Sequence, residues 1–501
     1  MTDLVVQVLC LAAAAAGAPR WLRVAQREHY LPGSVTWTEQ LWLSRSRASA
    51  LLWLPVVGLF ALGLLVNPWG YVGAAAVAQA IPLGLPYKGR TSKLAWTPRV
   101  RRLSVALGVL VLLVGVWSPA FSALPSLFLT ALLDLALLLV KPVEARLSRP
   151  FLVQAKDKIG RVRPTVVAIT GSYGKTTTKN YLAHLLSQTH AVLASPASFN
   201  NVMGLSRAVN EHLVPGTEVF VAEMGTYGPG EIKGLCQVFP PDVAVLTAIG
   251  EVHLQRMKTR EGVLAAKSEI TENARAVVVN ADDDLLAGLA TSLAQKGKQV
   301  VRCSVLDASA DVSIIDGRVC VQGTDLGTVT LPESVHPANA ACALGAAVAL
   351  GDDPAPLVKR LADLPTVAHR LEPVSLPNGS WILDDTYNSN PAGAAEAVRR
   401  AFALAGRSGG RVHVVTPGMV ELGAVQAERN TELGAAVAAA GAATLVVVGR
   451  TNASALRTGG TGGSTEVVEV ATRQDAVALV EQRSAAGDVV LFENDLPDHY
   501  P

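Results

Sequence analysis

Val166-Val-Ala-Ile-Thr-Gly-Ser-Tyr-Gly-Lys-Thr-Thr-Thr-Lys-Asn180 is the stretch on which the reading of this chain turns. A β-branched run stops at Gly171, a tight turn closes at Gly174, and Lys175 and Thr176 open a segment of helical spacing through Tyr181-Leu-Ala-His-Leu-Leu186. In a strand–turn–helix unit of this kind, backbone N–H groups of the turn and the helix N-terminus converge on anions, phosphate above all. Gly171 and Gly174 let the backbone approach closely, with Ser172 and Thr177 completing the cradle. Lys175 reaches the β/γ-phosphates and the Thr176 hydroxyl sits on Mg²⁺. The full Walker spacing is broken, because Ile169 stands where its first glycine belongs. A bare Gly-Lys-Thr arises readily by chance; the flanking strand and helix decide for a nucleotide site.

Outward from this unit, short β-branched runs alternate with Ala/Leu-rich helical patterns. Strands are expected at Thr165–Thr170, Glu218–Glu223, Val243–Thr247 and Ala276–Asn280, which predicts a mostly parallel, doubly wound sheet. Ligands of such sheets gather at the carboxyl ends of the strands, where Lys175, Glu223 and His253 fall. Beyond about Leu371 a second, smaller α/β unit is expected, with strands at Trp381–Asp384, Val412–Thr416, Thr444–Val448 and Val489–Phe492 and a flexible loop tip at Gly459–Ser464.

The chain has 501 residues, half of them apolar, enough for several cores. Its formal charge of +2 gives no case for a nucleic-acid partner. Five scattered cysteines without a Cys-x-x-Cys pair argue against a disulfide framework or zinc and fit a reducing compartment. The apolar residues crowd into the first 140, in runs 4–18, 48–66, 69–85, 103–117 and 121–140, near bilayer length. A signal peptide is the alternative for the first run, but Asp3 stands where a basic region belongs and Arg20, Arg23 and Arg27 follow it. Lys and Arg crowd the first and third connections and the segment after residue 140, while the second and fourth connections carry none. Five spans with an external N-terminus satisfy that asymmetry, placing everything after residue 140 in the cytoplasm beneath the plasma membrane. Asp134, inside the fifth run, is read as a structural hydrogen-bonding group in the bundle, with a substrate-facing role as the sharper option.

A set of further motifs carries a resemblance: Asn200-Asn-Val-Met-Gly204, Ala222-Glu-Met-Gly225 with Gly230-Glu-Ile232, His253-Leu254, Ala266-Lys-Ser-Glu-Ile270, His336-Pro-Ala-Asn339, His369-Arg370 and Asp384-Asp-Thr-Tyr-Asn-Ser-Asn-Pro391. Together with the phosphate loop, and in this order over residues 165–450, they resemble the Mur ligase family, ATP-dependent amide-forming enzymes of peptidoglycan precursor synthesis. The Asp-Asp-x-Tyr-Asn-x-Asn-Pro segment is similar to that of members adding D-alanyl-D-alanine. The resemblance implies a P-loop central domain (165–370) and a Rossmann-like C-terminal domain (371–501), behind a membrane domain (1–140) and a linker (141–164). It implies ATP and two Mg²⁺ ions, with Lys175 and Thr176 on phosphates and the first ion, Glu223 on the same ion and His253 on the second. The His253 role rests on the resemblance alone, because imidazole prefers softer metals. Lys267 matches a lysine the family carbamylates; otherwise it reads as an ordinary helix-surface lysine. Asn200 and Asn201 fall to the substrate side or the metal cluster, or simply cap a turn. Asn339 and Arg370 are implied nucleotide contacts, and His336 is either that or a helix start. Asp385 faces ATP with Tyr387, Asn388 and Asn390 as partners, unless the segment is only an Asp/Asn/Pro turn.

Three departures bear on substrate. The membrane runs stand where the family carries its UDP-sugar domain. Asn430 replaces a histidine often found nine residues beyond the glutamate of Met419-Val-Glu-Leu-Gly423, and Glu493–Pro501 replaces a Lys-Gly-Ser-Arg-like segment. The expected function is a membrane-anchored carboxylate–amine ligase acting through an acyl phosphate on a UDP-linked or lipid-linked muropeptide, with an amino acid or dipeptide as the amine. The alternatives are a ligase resembling poly-γ-glutamate synthases, or a non-catalytic nucleotide-binding scaffold of the cell wall.

Overall fold

The computed structural model describes residues 1–89, 93–196, 199–366, 372–386, 389–497 and 499–501. It forms two compact units: residues 1–148 with 449–451 and 496–501, and residues 149–448 with 452–495.

The second unit is built on two sheets. In the first, β1 (Thr165–Thr170), β2 (Val192–Ala194), β3 (Val219–Glu223), β4 (Val243–Leu246), β5 (Ala276–Asn280), β6 (Gln299–Ser304), β7 (Val312–Ile315), β8 (Arg318–Val321) and β9 (Thr324–Thr328) lie in the order 2-3-1-4-5-6-7-8-9. Pairing is parallel as far as β7 and antiparallel among β7, β8 and β9. Successive side chains of β1 point to opposite faces. Val167 and Ile169 enter one core with helices Lys175–Leu186 and Pro337–Leu350, while Val166 and Ala168 enter another with Val202–His212 and Arg260–Ser268. That two-sided burial is why these strands read as unbroken apolar runs. The four strands expected here stand within one residue of their expected bounds. β2 is too short to announce itself, and β8 and β9 are an edge hairpin with exposed positions rather than a buried run.

The second sheet, β10 (Glu372–Ser375), β11 (Trp381–Asp385), β12 (Val412–Thr416), β13 (Thr444–Val448), β14 (Glu466–Val470) and β15 (Val489–Glu493), runs in the order 10-11-15-12-13-14, parallel except for β10. The expected domain boundary at Leu371 lies outside the described residues. Gly459 and Gly460 are not a loop tip, since they end helix Ala453–Gly460. A Cβ on Gly459 would stand 1.9 Å from the Thr431 carbonyl oxygen, so glycine there lets two helices meet backbone to backbone.

The expected linker is also corrected. Helix Leu129–Val162 runs through it, and Ala155 and Ile159 are buried in the same core as Val166 and Ala168. Pro142 and Pro150 are solvent-exposed positions of this helix, whose apolar residues further on pack in a core.

In the first unit, helices Thr2–Arg27 and Arg47–Leu65 are long and apolar enough to cross a membrane, and the pair Pro119–Leu127 and Leu129–Val162, bent by 78°, makes a third if it counts as one. Five spans are more than these lengths support. Run 69–85 forms only the 12-residue helix Trp69–Ala80, about 18 Å long against a core of about 30 Å. Helix Pro98–Gly115 opens with Arg99, Arg101 and Arg102. Asp134 is structural: its carboxylate accepts from the backbone N–H groups of Gly33 at 2.8 Å and Thr36 at 2.9 Å, capping helix Ser34–Arg45. Arg20 donates to the carbonyls of Gln79 and Ile81 at the end of helix Trp69–Ala80. Residues 496–501 belong to this unit too, with the Trp42 indole donating to the His499 carbonyl at 2.8 Å and the His499 ring 2.9 Å from Glu28. Only residues 493–495 of the divergent C-terminal segment therefore stay with the second sheet.

Within the second unit the two α/β domains are joined by a two-pronged ion pair, Arg429 Nε to Glu251 Oε2 at 2.6 Å and Nη2 to Oε1 at 2.9 Å. The hydrogen bonds from Arg429 hold the Glu251 carboxyl below its usual range. A carboxylate with a depressed folded pKa adds stability above its unfolded pKa and forfeits it as pH falls through the folded value. Glu251→Gln should therefore lower the unfolding free energy by on the order of 1 kcal/mol at pH 7, with the difference shrinking as the pH falls below the usual glutamate range and closing only below the depressed folded value. Denaturant titrations across that range read this, and a difference that persists at the acid end rules out the ion pair as its source.

Candidate functional site

The carboxyl ends of β1, β3 and β4 bring the expected phosphate-loop residues together. Gly174 takes φ +82° and serves as the N-cap of helix Lys175–Leu186, a conformation that favours glycine. A Cβ there would meet the Asn339 side-chain oxygen at 2.4 Å, so helix Pro337–Leu350 delivers Asn339 to the loop. A Cβ at Gly171 would stand 2.0 Å from the Thr247 hydroxyl. Lys175 Nζ donates to the carbonyls of Gly171 at 2.8 Å and Ser172 at 3.3 Å. Thr177 is half-buried in the first helical turn. Ser172 differs from its expected role. Its N–H donates to Ala248 O at 2.8 Å and its hydroxyl accepts from Gly250 N at 2.9 Å, so both groups brace the loop instead of facing phosphate.

Beside the loop, Thr176 donates to Glu223 Oε2 at 2.8 Å and the Asn200 amide donates to Oε1 at 3.2 Å. Asn201 is separate, because its side chain accepts from Gly204 N at 2.9 Å and caps helix Val202–His212. Lys179, to which the sequence reading gave no role, completes the cluster. Its ammonium lies 3.3 Å from Glu223 Oε2, with both side chains 2% exposed. Burial lowers the Lys179 pKa, opposed by the Glu223 charge. Its signal was legible, since Lys179 follows Lys175 by one helical turn and so shares its face.

Among the described residues no three His, Cys, Asp or Glu converge as a metal site. Mg²⁺ does not require such a cage, because it is commonly held by one or two carboxylates together with phosphate and water oxygens. The adjacent Thr176 hydroxyl and Glu223 carboxylate fit it as a hard oxygen pair. Lys267 lies on helix Arg260–Ser268 and is 1% exposed. Burial, reinforced by the nearby Lys175 charge, holds its amine far below the usual lysine range. It is thus a buried lysine and not the ordinary helix-surface lysine that its sequence context alone suggested.

His253, at φ +54°, is hydrogen-bonded through Nδ1 to the carboxylate of Glu421 from the second domain. Glu421 stood inside a quoted motif but was assigned no function; only the tertiary contact reveals it. Asn430, the departure from the family histidine, is buried and structural. Its amide donates to Met419 O at 2.9 Å and Gln426 O at 2.8 Å, and its oxygen accepts from Met419 N at 2.8 Å. Asp385 ends β11 opposite Glu493. Glu493 is fully buried and takes hydrogen bonds from the Ser389 and Thr416 hydroxyls, while desolvation raises its pKa. Asn390 accepts from Gly393 N at 3.0 Å and caps helix Pro391–Ser408. His336 is exposed at the start of its helix. Arg370, Tyr387 and Asn388 lie outside the described residues. An open cleft of about 490 Å³ borders the loop, lined among others by Tyr173, Arg260, Asn280, Asp283, Asn390 and Arg429.

Comparison with known proteins agrees with this geometry. Residues 169–336 match the Mur ligase middle domain, and residues 369–493 match the domain described as Mur ligase, glutamate ligase domain. The UDP-N-acetylmuramoyl-tripeptide–D-alanyl-D-alanine ligase of Mycobacterium tuberculosis is 29% identical over 372 residues, 66% of this chain and 70% of that protein. Its Escherichia coli counterpart is 31% identical over 304 residues, 58% and 66% of the two chains. The crystal structure of MurF ligase from Thermotoga maritima in complex with ADP is similar at a TM-score of 0.58 and 27% identity, covering 69% of this chain and 80% of the other.

The buried Lys179–Glu223 pair generates a test. Lys179→Met leaves a buried carboxylate without its ammonium, at a cost of about 3 kcal/mol or more in unfolding free energy. Millimolar Mg²⁺ should recover part of that loss, because the cation can take the place of the ammonium. Unfolding curves with and without Mg²⁺ measure it; a variant no more responsive to Mg²⁺ than the parent protein removes Glu223 from the metal site.

Proposed function

The chain belongs to the Mur ligase family and is an ATP-dependent, amide-forming ligase like the MurF enzymes of peptidoglycan synthesis; from that membership we propose a membrane-anchored ligase that joins a D-alanyl-D-alanine-like amine to a muropeptide carboxylate. The observation that carries the catalytic reading is the cluster of Lys175, Thr176, Glu223 and Asn200, with Lys267 buried alongside.

The acceptor carboxylate attacks the γ-phosphorus of ATP, expelling ADP and forming an acyl phosphate. The amine then attacks the acyl carbon and phosphate leaves, with the amine proton passing to solvent or a base. Lys175 sits where negative charge gathers in the first step, which is the charge a positioned cation stabilises most. Thr176 and Glu223 would hold Mg²⁺, which when bound would further neutralise the phosphate oxygens. Burial, which disfavours the charged form of Lys267, favours addition of CO₂ to its amine with release of one proton to solvent, which would leave a carbamate anion beside Lys175. Asn339 contacts the nucleotide at Gly174, and the cleft beside Tyr173 takes the nucleoside. Closure of the second domain excludes water from the acyl phosphate, which hydrolysis would otherwise consume. Its Asp385 and Asn390, with Tyr387, Asn388 and Arg370, complete the ATP and amine sides.

Membrane anchoring is supported by the surface of the first unit. Among the described residues, nearly all the exposed large apolar side chains lie before residue 154, on Leu4, Leu54, Leu65, Leu113 and Leu139 among others, and only Met203, Val214, Leu306 and Val374 lie beyond. An apolar exterior of that extent suits lipid rather than water. ATP then places the ligase domains on the cytoplasmic side. The same unit occupies the position of the family's UDP-sugar domain, which favours a lipid-linked acceptor as a second reading beside the UDP-linked one.

Full-length protein in lipid nanodiscs, given ATP, Mg²⁺, D-alanyl-D-alanine and either a UDP-linked or a lipid-linked muropeptide, should release ADP and yield an amide product detectable by mass spectrometry. Faster turnover of the lipid-linked acceptor selects the second reading, and no amide from either refutes ligation of a muropeptide. Lys175→Ala should lower turnover about 100–1000-fold; near parental turnover would take the loop out of the mechanism.

A further inference from the structure

We propose that Glu421 is a positioning residue: the second domain uses its carboxylate to orient His253 and fix its tautomer, so the His253 metal site is completed only when the two α/β domains are closed. The inference rests on the reading of His253 as a metal ligand and goes beyond it by assigning the partner that makes it competent. His253 Nδ1 is hydrogen-bonded to the Glu421 carboxylate. An ionised carboxylate can only accept, so Nδ1 carries the proton and the Nε2 lone pair is left for a cation. Metal-binding histidines are commonly held in this way by a carboxylate on the other ring nitrogen.

The contact is built into the backbone on both sides. His253 at φ +54° and Glu421 at φ +64° both occupy the left-handed region, which non-glycine residues enter at a cost. Gln255 N–H donates to the Glu421 carbonyl at 3.2 Å, and a Cβ on Gly423 would lie 3.2 Å from Gln255 N, so the two turns are seated directly on one another. The His253 ring packs edge-on against Tyr227, with centroids 4.9 Å apart.

The turn bearing Glu421 is itself held from behind. Asn430 grips both backbone groups of Met419, Asn452 donates to Pro417 O and Met419 O at 3.0 Å each, and Asn494 donates to Gly418 O at 2.7 Å. This gives the family departure at Asn430 a purpose, since it stiffens the turn that presents Glu421. Glu493, through Thr416, steadies the start of the same turn.

The experiment is an electron paramagnetic resonance titration of full-length protein with Mn²⁺ in the presence of ADP, on the parent, His253→Ala, Glu421→Ala and Glu421→Gln. The parent should show a tighter and a weaker ion. Both alanine variants should weaken the His253-dependent ion about 10–100-fold and leave the other unchanged. Glu421→Gln keeps an oxygen that accepts from Nδ1 and should stay within about threefold of the parent. Glu421 is partly exposed and its replacement leaves no buried charge. If His253→Ala changes nothing, the metal reading of His253 fails and the inference falls with it. If His253→Ala weakens one ion but Glu421→Ala does not, the metal reading stands and the inference alone is overturned.

Discussion

The buried Glu223 carboxylate is the constraint on which the catalytic half of the molecule depends. A carboxylate at 1% exposure survives only if its charge is met, and here the Lys179 ammonium, the Thr176 hydroxyl and the Asn200 amide meet it. Those partners come from the helix after β1 and from the loop before helix Val202–His212, so satisfying one charge ties three segments together. The parallel pairing of β1 with β3, Ile169 opposite Glu223, sets the end of one strand beside the other and so places the carboxylate next to the phosphate loop. A cation arriving at Thr176 and Glu223 enters a site where Lys179 already offsets the same charge. Under the proposed function, the affinity of that site for Mg²⁺ would be tuned by a residue that need not touch the substrate.

A second layer of polar contacts governs the other side of the active cleft. Arg429 with Glu251 and Glu421 with His253 connect the two α/β domains through ionisable side chains, beside the apolar packing of Val425. An interface of that kind is specific in geometry yet modest in strength, which suits a domain that must admit substrates and then exclude water. Asn430 and Asn452 show how the closure surface is made rigid, with buried side-chain amides spending their hydrogen bonds on the Pro417–Met419 backbone.

The first unit follows the opposite rule. Its helices turn apolar residues outward and keep Arg20, Arg23 and Asp134 inside, where Arg20 and Asp134 bond backbone groups at the ends of helices. In a medium without water such groups must be satisfied internally. Arg20 caps helix carbonyls and Asp134 caps helix N–H groups, each with the charge sign that complements the helix dipole.

The sequence by itself determined the strand–loop–helix at 165–186 and the alternation that makes two mostly parallel sheets. These are local features: a β-branched run, a glycine turn and a helical period are written in neighbouring residues and need no partner to be read. Span number failed for a related reason, because hydropathy counts apolar residues but not where Trp69–Ala80 stops or Pro119–Leu127 bends. The roles of Lys179, Glu421, Asn430 and residues 496–501 were decided only by tertiary structure. Each acts on a group far away in the chain, and residue type alone does not say which of many carboxylates a given lysine or histidine will meet. Burial likewise separates Lys267, its pKa lowered by desolvation, from a surface lysine of the same spacing: desolvation belongs to the folded environment and not to the residue.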